Sequence, residues 1–197
     1  ISVGGDAKTA LRQLAEHLEE QHHDGWVRHL LEYRDQYPLP TPASTAKLHP
    51  RDVIYAIRDA VGEDAIICTD VGQHQMLTTQ YYRFSRPRTF ISSCGLGTMG
   101  YGMGAALGAQ AGNPEKPVVL ITGDGSFHMN MNELACAVSE GFPILVVVLN
   151  NSVLGMVRQW QKLFYGERYS CTTIDRKTDF VKLAEAFGAL GCRITES

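Results

Sequence analysis

VVLITGDGSFHMNMNELACAVSEGFPILVVVLNNSVLGM, residues 118–156, holds two apolar runs that each stop at a small oxygen-bearing side chain. The first ends at Gly123-Asp124-Gly125 and the second at Asn150-Asn151, with 24 residues (126–149) between the two signatures. Runs this short, apolar on both faces, read as strands buried in a parallel sheet. The residues between them, with a helix expected from about Asn130 to Glu140, supply the crossover that a parallel pair requires. In a parallel sheet all strands point one way, so ligand sites collect beyond the carboxyl edge. If the two strands are neighbours, about 5 Å apart, the Asp124 carboxylate and the Asn151 amide can reach one small cation. Hard oxygen donors suit Mg2+, which takes one or two protein ligands and completes its octahedron with phosphate and water. Gly123 and Gly125 let the backbone turn tightly and let phosphate approach closely, and Ser126 adds a hydroxyl. The whole reads as a site for a metal and a diphosphate.

The alternation continues on both sides. A helix is expected over Pro50–Val61, with proline in its first turn, and another over Asp179–Phe187. Further short apolar runs are AIICTDV (65–71), RTFISS (88–93) and a final strand, GCRIT (191–195). Strands alternating with helices predict an α/β fold of three layers, α/β/α, around a mostly parallel sheet. Ahead of this, Leu11, Leu14 and Leu18, then Val27, Leu30, Leu31 and Arg34, recur at helical spacing, with a break expected at Gly25. YPLPTPASTAKLHP (37–50) has four prolines and no periodicity, and reads as a linker. Residues 1–47 are thus expected to be the end of a preceding domain plus a linker, and 48–197 the main domain. The opening ISVGGDAKTALRQL reads as a strand entering a helix, so the chain is expected to be a piece of a longer protein.

The 197 residues are 44% hydrophobic, enough for one good core, and the net charge of −3 gives no sign of a polyanion-binding surface. Nucleic acid is not an expected partner. The apolar run from Pro143 to Leu149 is far too short for a bilayer, which takes about 20 residues. Five cysteines without CxxC spacing suit reduced thiols in a cytosol-like compartment better than a disulfide framework or a zinc site.

A second glycine-rich segment, SSCGLGTMGYGMGAALGA (92–109), contains Gly95-Leu96-Gly97-Thr98-Met99-Gly100, which fits the dinucleotide pattern GxGxxG after a strand. An NAD-dependent dehydrogenase is therefore a rival reading, with Asp124 as the ribose-binding acid. It leaves Asn150-Asn151 without a purpose. Gly100, Gly102, Gly104 and Gly108 are expected to allow close helix packing under either reading.

The pairing of GDG with NN resembles the thiamin diphosphate signature. DVGQHQM, GLGTMGYG, GDGSFHMNMNEL and LNNSVLGMVRQWQKLFY together resemble the thiamin-diphosphate-binding domain of the acetolactate synthase family, from about Leu48 onward. The resemblance implies that Asp124, the Asn151 side chain and the Val153 carbonyl hold Mg2+. It places Gln73 and His74 on the diphosphate, with Val71 and Gly72 beside them, and Gly97 and Met99 on the aminopyrimidine. Met156 would hold the cofactor bent, while Gly123, Gly125, Ser126, Leu154 and Gly155 complete the cradle. Trp160 would stand at the mouth of the substrate channel.

The implied reaction decarboxylates pyruvate and joins the remaining unit to pyruvate or 2-ketobutyrate, in branched-chain amino-acid synthesis. Another thiamin-diphosphate-dependent decarboxylase or carboligase is the near alternative. The family's activating glutamate is expected in an N-terminal domain from a partner subunit, leaving no catalytic residue in this chain, which alone is expected to be inactive. The resemblance further implies a homodimer or homotetramer, a small regulatory subunit, FAD only in the longer enzyme, and a cytoplasmic, plastid or mitochondrial setting. The sequence departs from the family pattern at Cys94, where glycine is expected, and at Gly104, where proline is usual.

Overall fold

Four of the apolar runs become strands of one parallel sheet, as described by a computed structural model covering residues 2–39, 48–174 and 176–195. The chain divides into two units, Ile1–Thr41 and Pro42–Ser197. In the first, α1 (Ala7–Glu16) starts at Asp6, whose carboxylate accepts the Thr9 N–H at 2.9 Å, a standard N-cap. The second helix, α2 (Asp24–Gln36), carries a ladder of rings, Trp26, His29, Tyr33 and Tyr37, along one side. The break between the helices falls over residues 17–23, and Gly25 lies inside the first turn of α2. The first helix ends at Glu16, ahead of Leu18, which the apolar spacing includes, and not at the glycine. Residues 2–5 form no strand. Most of the expected linker, residues 40–47, lies outside the described residues.

The second unit runs α3 (Pro50–Val61), β1 (Ile66–Thr69), α4 (Gln73–Tyr81), β2 (Phe90–Ser92), α5 (Tyr101–Gly112), β3 (Val118–Gly123), α6 (Asp124–Asn130), α7 (Leu134–Ser139), β4 (Leu145–Leu149), α8 (Gly155–Phe164) and α9 (Phe180–Phe187). The strand order is β2-β1-β3-β4, all parallel. Period-two alternation sends side chains to both faces of the sheet. Ile66, Cys68, Val118 and Leu120 pack with Met103, Ala106, Phe127 and Leu134 on one face. Ile67, Val119 and Ile121 pack with Ile54, Ile57 and Tyr81 on the other. Helices thus cover both faces, giving the expected three layers. Burial pushes the Cys68 thiol up to about 12, which leaves it unreactive.

Two expectations about elements fail for physical reasons. The crossover helix begins at Asp124 rather than near Asn130, and a 3-10 turn over Met131–Glu133 separates its two parts. Gly123 is the N-cap and Asp124 opens the first turn, where a carboxylate favours the helix dipole. GCRIT forms no strand among the described residues. A strand exists through its ladder partner, and β4 is paired on its β3 side alone among the described residues.

The glycines of α5 divide into two kinds. A Cβ at Gly102 would lie 2.7 Å from Leu120 Cδ1 and 2.9 Å from Asp70 Oδ2, so the bare backbone lets α5 rest directly on the sheet. Gly100, at φ 88°, sits in the left-handed region and would place a Cβ 3.1 Å from that of Met129. Gly104 and Gly108 face open space, contrary to the expected close packing. α5 runs without a break through Gly104.

His74 fills the gap between the ends of β1 and β3. A Cβ on Gly123 would lie 2.9 Å from its Nδ1, and one on Gly72 2.9 Å from its Cε1. Burial pushes its pKa down from 6.5 to about 4, opposed by a backbone hydrogen bond with Asp70.

Gly102→Ala should destabilise the fold by about 1–3 kcal/mol through overpacking, whereas Gly108→Ala should stabilise it by about 0.5–1 kcal/mol; urea titration reads both. The unfolded chain protonates His74 near pH 6.5 but the folded chain only near 4. Its contribution to stability is therefore complete above pH 6.5 and lost as pH falls toward 4. Asp70, whose carboxyl burial raises, acts oppositely, losing its contribution as pH climbs above the usual carboxylate range. Between pH 7 and 5 the wild type should lose about 2 kcal/mol more than His74→Gln, and equal slopes would contradict this account.

Candidate metal and diphosphate site

The register of the two decisive strands pairs Gly123 with Leu149. Asp124 and Asn150 therefore stand level at the carboxyl edge, with Asn151 one residue further on. Adjacent strands lie about 5 Å apart, the spacing that a shared ion needs. Both side chains line one cavity of about 1160 Å³. Every residue predicted for the cofactor or the metal lines it as well: Val71, Gly72, Gln73, His74, Gly97, Met99, Gly123, Gly125, Ser126, Val153, Leu154, Gly155 and Met156. Trp160 does not. It is 58% exposed, on a face of α8 where its ring stands 5.3 Å from that of Phe164.

Asp124 is 4% exposed, and no hydrogen-bond donor or cation among the described residues meets its carboxylate. Its backbone carbonyl is held at 2.6 Å by His128 Nδ1, whose Nε2 lies 2.7 Å from the Thr178 hydroxyl. The Asn151 Oδ1 accepts the Val153 N–H at 3.1 Å, which leaves one lone pair for a further partner. Ser152 between them is left-handed, at φ 58°. The His74 Nε2 is buried and has no hydrogen-bond partner among the described residues, and His74 belongs to the cavity wall. A buried polar nitrogen left bare is costly in a native fold, and a ligand oxygen would satisfy it.

Glycines keep this wall open. A Cβ on Gly155, at the start of α8, would collide with Gln73 Oε1, and Gln73 Nε2 donates to Gln159 Oε1 at 3.1 Å. A Cβ on Gly125 would lie 2.9 Å from both Ile174 Cδ1 and Leu154 Cδ2. Ser126 spends its hydroxyl hydrogen on the Val71 carbonyl, at 2.8 Å, so it ties α6 to the loop after β1 and keeps only acceptor capacity for a ligand. Among the described residues no three His, Cys, Asp or Glu gather as a metal cage. A cation here would rest on one carboxylate, one amide and backbone oxygen, with its remaining positions open. That donor set fits Mg2+ with a diphosphate and does not fit a thiolate-bound metal.

Sequence reading missed Asp70. It is 1% exposed at the end of β1; its Oδ1 accepts the Gly100 N–H at 2.7 Å and its Oδ2 the Thr122 hydroxyl at 3.2 Å. This carboxylate fixes the start of α5 and the end of β3 to one another. Its signal was present: Thr69-Asp70 closes an apolar run just as Asp124 does. The dinucleotide reading lacks its geometry. That fingerprint wants the acid on the strand beside the glycine-rich turn, yet β1 stands between β2, which precedes the turn, and β3, which carries Asp124.

The chain is 43% identical over 201 residues to the acetolactate synthase large subunit of Parasynechococcus marenigrum (strain WH8102), covering 100% of this chain and 32% of that protein. It is 43% identical over 201 residues to the acetolactate synthase isozyme 2 large subunit of Escherichia coli (strain K12), covering 99% and 35% respectively. The acetolactate synthase large subunit of Corynebacterium glutamicum gives 43% over 207 residues, covering 100% and 33%. The chain thus spans about a third of the length of these curated relatives. Residues 70–197 match the family model described as thiamine pyrophosphate enzyme, C-terminal TPP binding domain. The chain accordingly belongs to the thiamine pyrophosphate enzymes and carries their C-terminal cofactor-binding domain.

Proposed function

We propose that residues 48–197 hold the diphosphate end of thiamin diphosphate through Mg2+, as the cofactor-binding domain of an acetolactate synthase, with residues 1–47 the end of a preceding domain and a linker. The observation that carries the reading is the buried Asp124 beside Asn151, at the ends of paired strands that open into one cavity. Bound thiamin diphosphate supplies a carbon nucleophile and an electron sink for decarboxylation of a 2-keto acid. Within this chain, Asp124, the Asn151 amide and the Val153 carbonyl hold the cation. His74 and Gln73 bind phosphate oxygens, and the backbone of Gly123, Gly125 and Gly155 lets those oxygens approach. Gly97 and Met99 face the aminopyrimidine, while Leu154 and Met156 pack against the cofactor and keep water from it. Trp160 borders the substrate entrance, as part of a surface completed by other segments.

Pyruvate is the proposed donor, and pyruvate or 2-ketobutyrate the acceptor. The activating glutamate is assigned to a preceding domain of a partner subunit, which supports a homodimer or homotetramer. The words "large subunit" in the relatives' names support an assembly with a smaller, regulatory one. A cytoplasmic setting agrees with the reading, and among the described residues no helix is long and apolar enough to cross a membrane.

Calorimetry tests the site directly. Thiamin diphosphate should bind only with Mg2+ present, and Asp124→Ala should weaken binding beyond the 10–100-fold or so that outer-shell partners carry. Equal affinity in the variant, or tight NADH binding with no response to thiamin diphosphate, would remove the reading.

A further inference from the structure

Segment 165–174 doubles back along α8 and ends against the loop that carries Asn151. Val153 pairs with Thr173 as an antiparallel bridge. The Leu154 N–H donates to the Thr172 carbonyl and the Ile174 N–H to the Ser152 carbonyl, each at 2.8 Å. Backbone groups alternate in direction along an extended chain. With the Ser152 carbonyl and the Leu154 N–H committed to the returning segment, the N–H and carbonyl of Val153 face the other way. The Val153 N–H indeed bonds there to Asn151 Oδ1, at 3.1 Å. The same pairing therefore turns the Val153 carbonyl to the side of Asn151. Ile174 also reaches the other half of the site, since a Cβ on Gly125 would lie 2.9 Å from its Cδ1. One short segment braces the loop of Asn151 and the residue next to Asp124.

Gln161, on α8, makes most of the side-chain ties that hold that segment in place. Gln161 Nε2 donates to the Ser170 carbonyl at 3.0 Å, and Gln161 Oε1 accepts both the Ser170 N–H and the Thr172 hydroxyl at 3.2 Å. One amide thus satisfies both backbone groups of Ser170, as a neighbouring strand would. Cys171, between the two anchored residues, is left-handed at φ 54°, a conformation that a non-glycine residue keeps only when its surroundings impose it. Thr172 is 2% exposed. Arg158 adds a second tie, its guanidinium 3.9 Å over the Tyr169 ring. Gln161 itself stands about 9 Å along the helix from Gly155 and is not part of the cavity wall.

We propose that Gln161 is a positioning residue for the divalent cation: through Ser170 and Thr172 it fixes the bridge that aims the Val153 carbonyl and supports Asn151. The inference rests on the proposed Mg2+–diphosphate site. It concerns geometry more than charge, so it has its own signature. Mg2+ demands near-ideal octahedral geometry at short distances, whereas Ca2+ accepts irregular, longer coordination. A loosened loop penalises Mg2+ more than Ca2+.

The test titrates the whole chain with Mg2+ and with Ca2+, each in the presence of excess free thiamin diphosphate, by calorimetry. Gln161→Ala should weaken Mg2+ about 10-fold and Ca2+ less, narrowing the preference between them. Gln161→Glu keeps the acceptor for Ser170 and Thr172 and should recover part of the loss. Should Gln161→Ala fail to fold, Thr172→Val removes one of the three bonds and should shift the preference the same way by a smaller factor. Unchanged Mg2+ affinity in the folded variants overturns the inference, as does an equal loss for both ions alongside a lowered melting temperature. A wild-type chain that binds no Mg2+ with the cofactor would instead sink the proposed function, and this inference with it.

Discussion

β3 and β4 run in register, with Gly123 opposite Leu149, and stop together at one edge of the sheet. That single alignment brings an acid and an amide to neighbouring positions, although 24 residues (126–149) separate the two signatures in sequence. A slip of one residue would turn every side chain of β4 to the opposite face. Such a slip would exchange the two packed sets of β4, Val146 and Val148 with one core and Val147 and Leu149 with the other. Packing on both faces thereby sets the separation of two polar groups that lie outside either core.

The same edge is braced from β1 by Asp70. Burying a carboxylate is costly unless it is hydrogen-bonded, and here burial does raise its pKa. The opposing bonds come from Gly100 and Gly102 at the start of α5, from Thr122 on β3 and from Val71 just after Asp70, three places in the chain. Gly102 lets α5 approach closely enough for two of those donors to reach it. A local cost in solvation is exchanged for agreement between β1, β3 and α5 on one geometry, the arrangement in which a buried, hydrogen-bonded acid specifies structure.

Much of this was legible in the residues. The four strands, the three layers, α3 and α9 follow from short apolar runs and their punctuation, and the residues predicted to surround the cofactor share one cavity wall. What escaped the reading depends on contacts between distant segments. GCRIT has strand-like composition, but pairing decides a strand, and it has no ladder partner among the described residues. The glycines of α5 look alike in sequence, yet only the approach of the sheet separates Gly102 from Gly104 and Gly108. Asp70 could have been flagged by the rule applied to Asp124. Gln161 could not, because its partners Ser170 and Thr172 become its neighbours only after the chain has turned back.

The two margins of the sheet are unequal. β2 is three residues long and follows an arginine- and proline-containing loop, features that discourage further pairing. β4 is five residues of leucine and valine with its outer backbone groups unmatched by any described residue. Such a margin is a template for whatever extended chain arrives first. Self-association of this polypeptide, when handled by itself, is thereby steered to one side of the molecule, and a charge introduced at the half-exposed Leu145 is the natural place to restrain it.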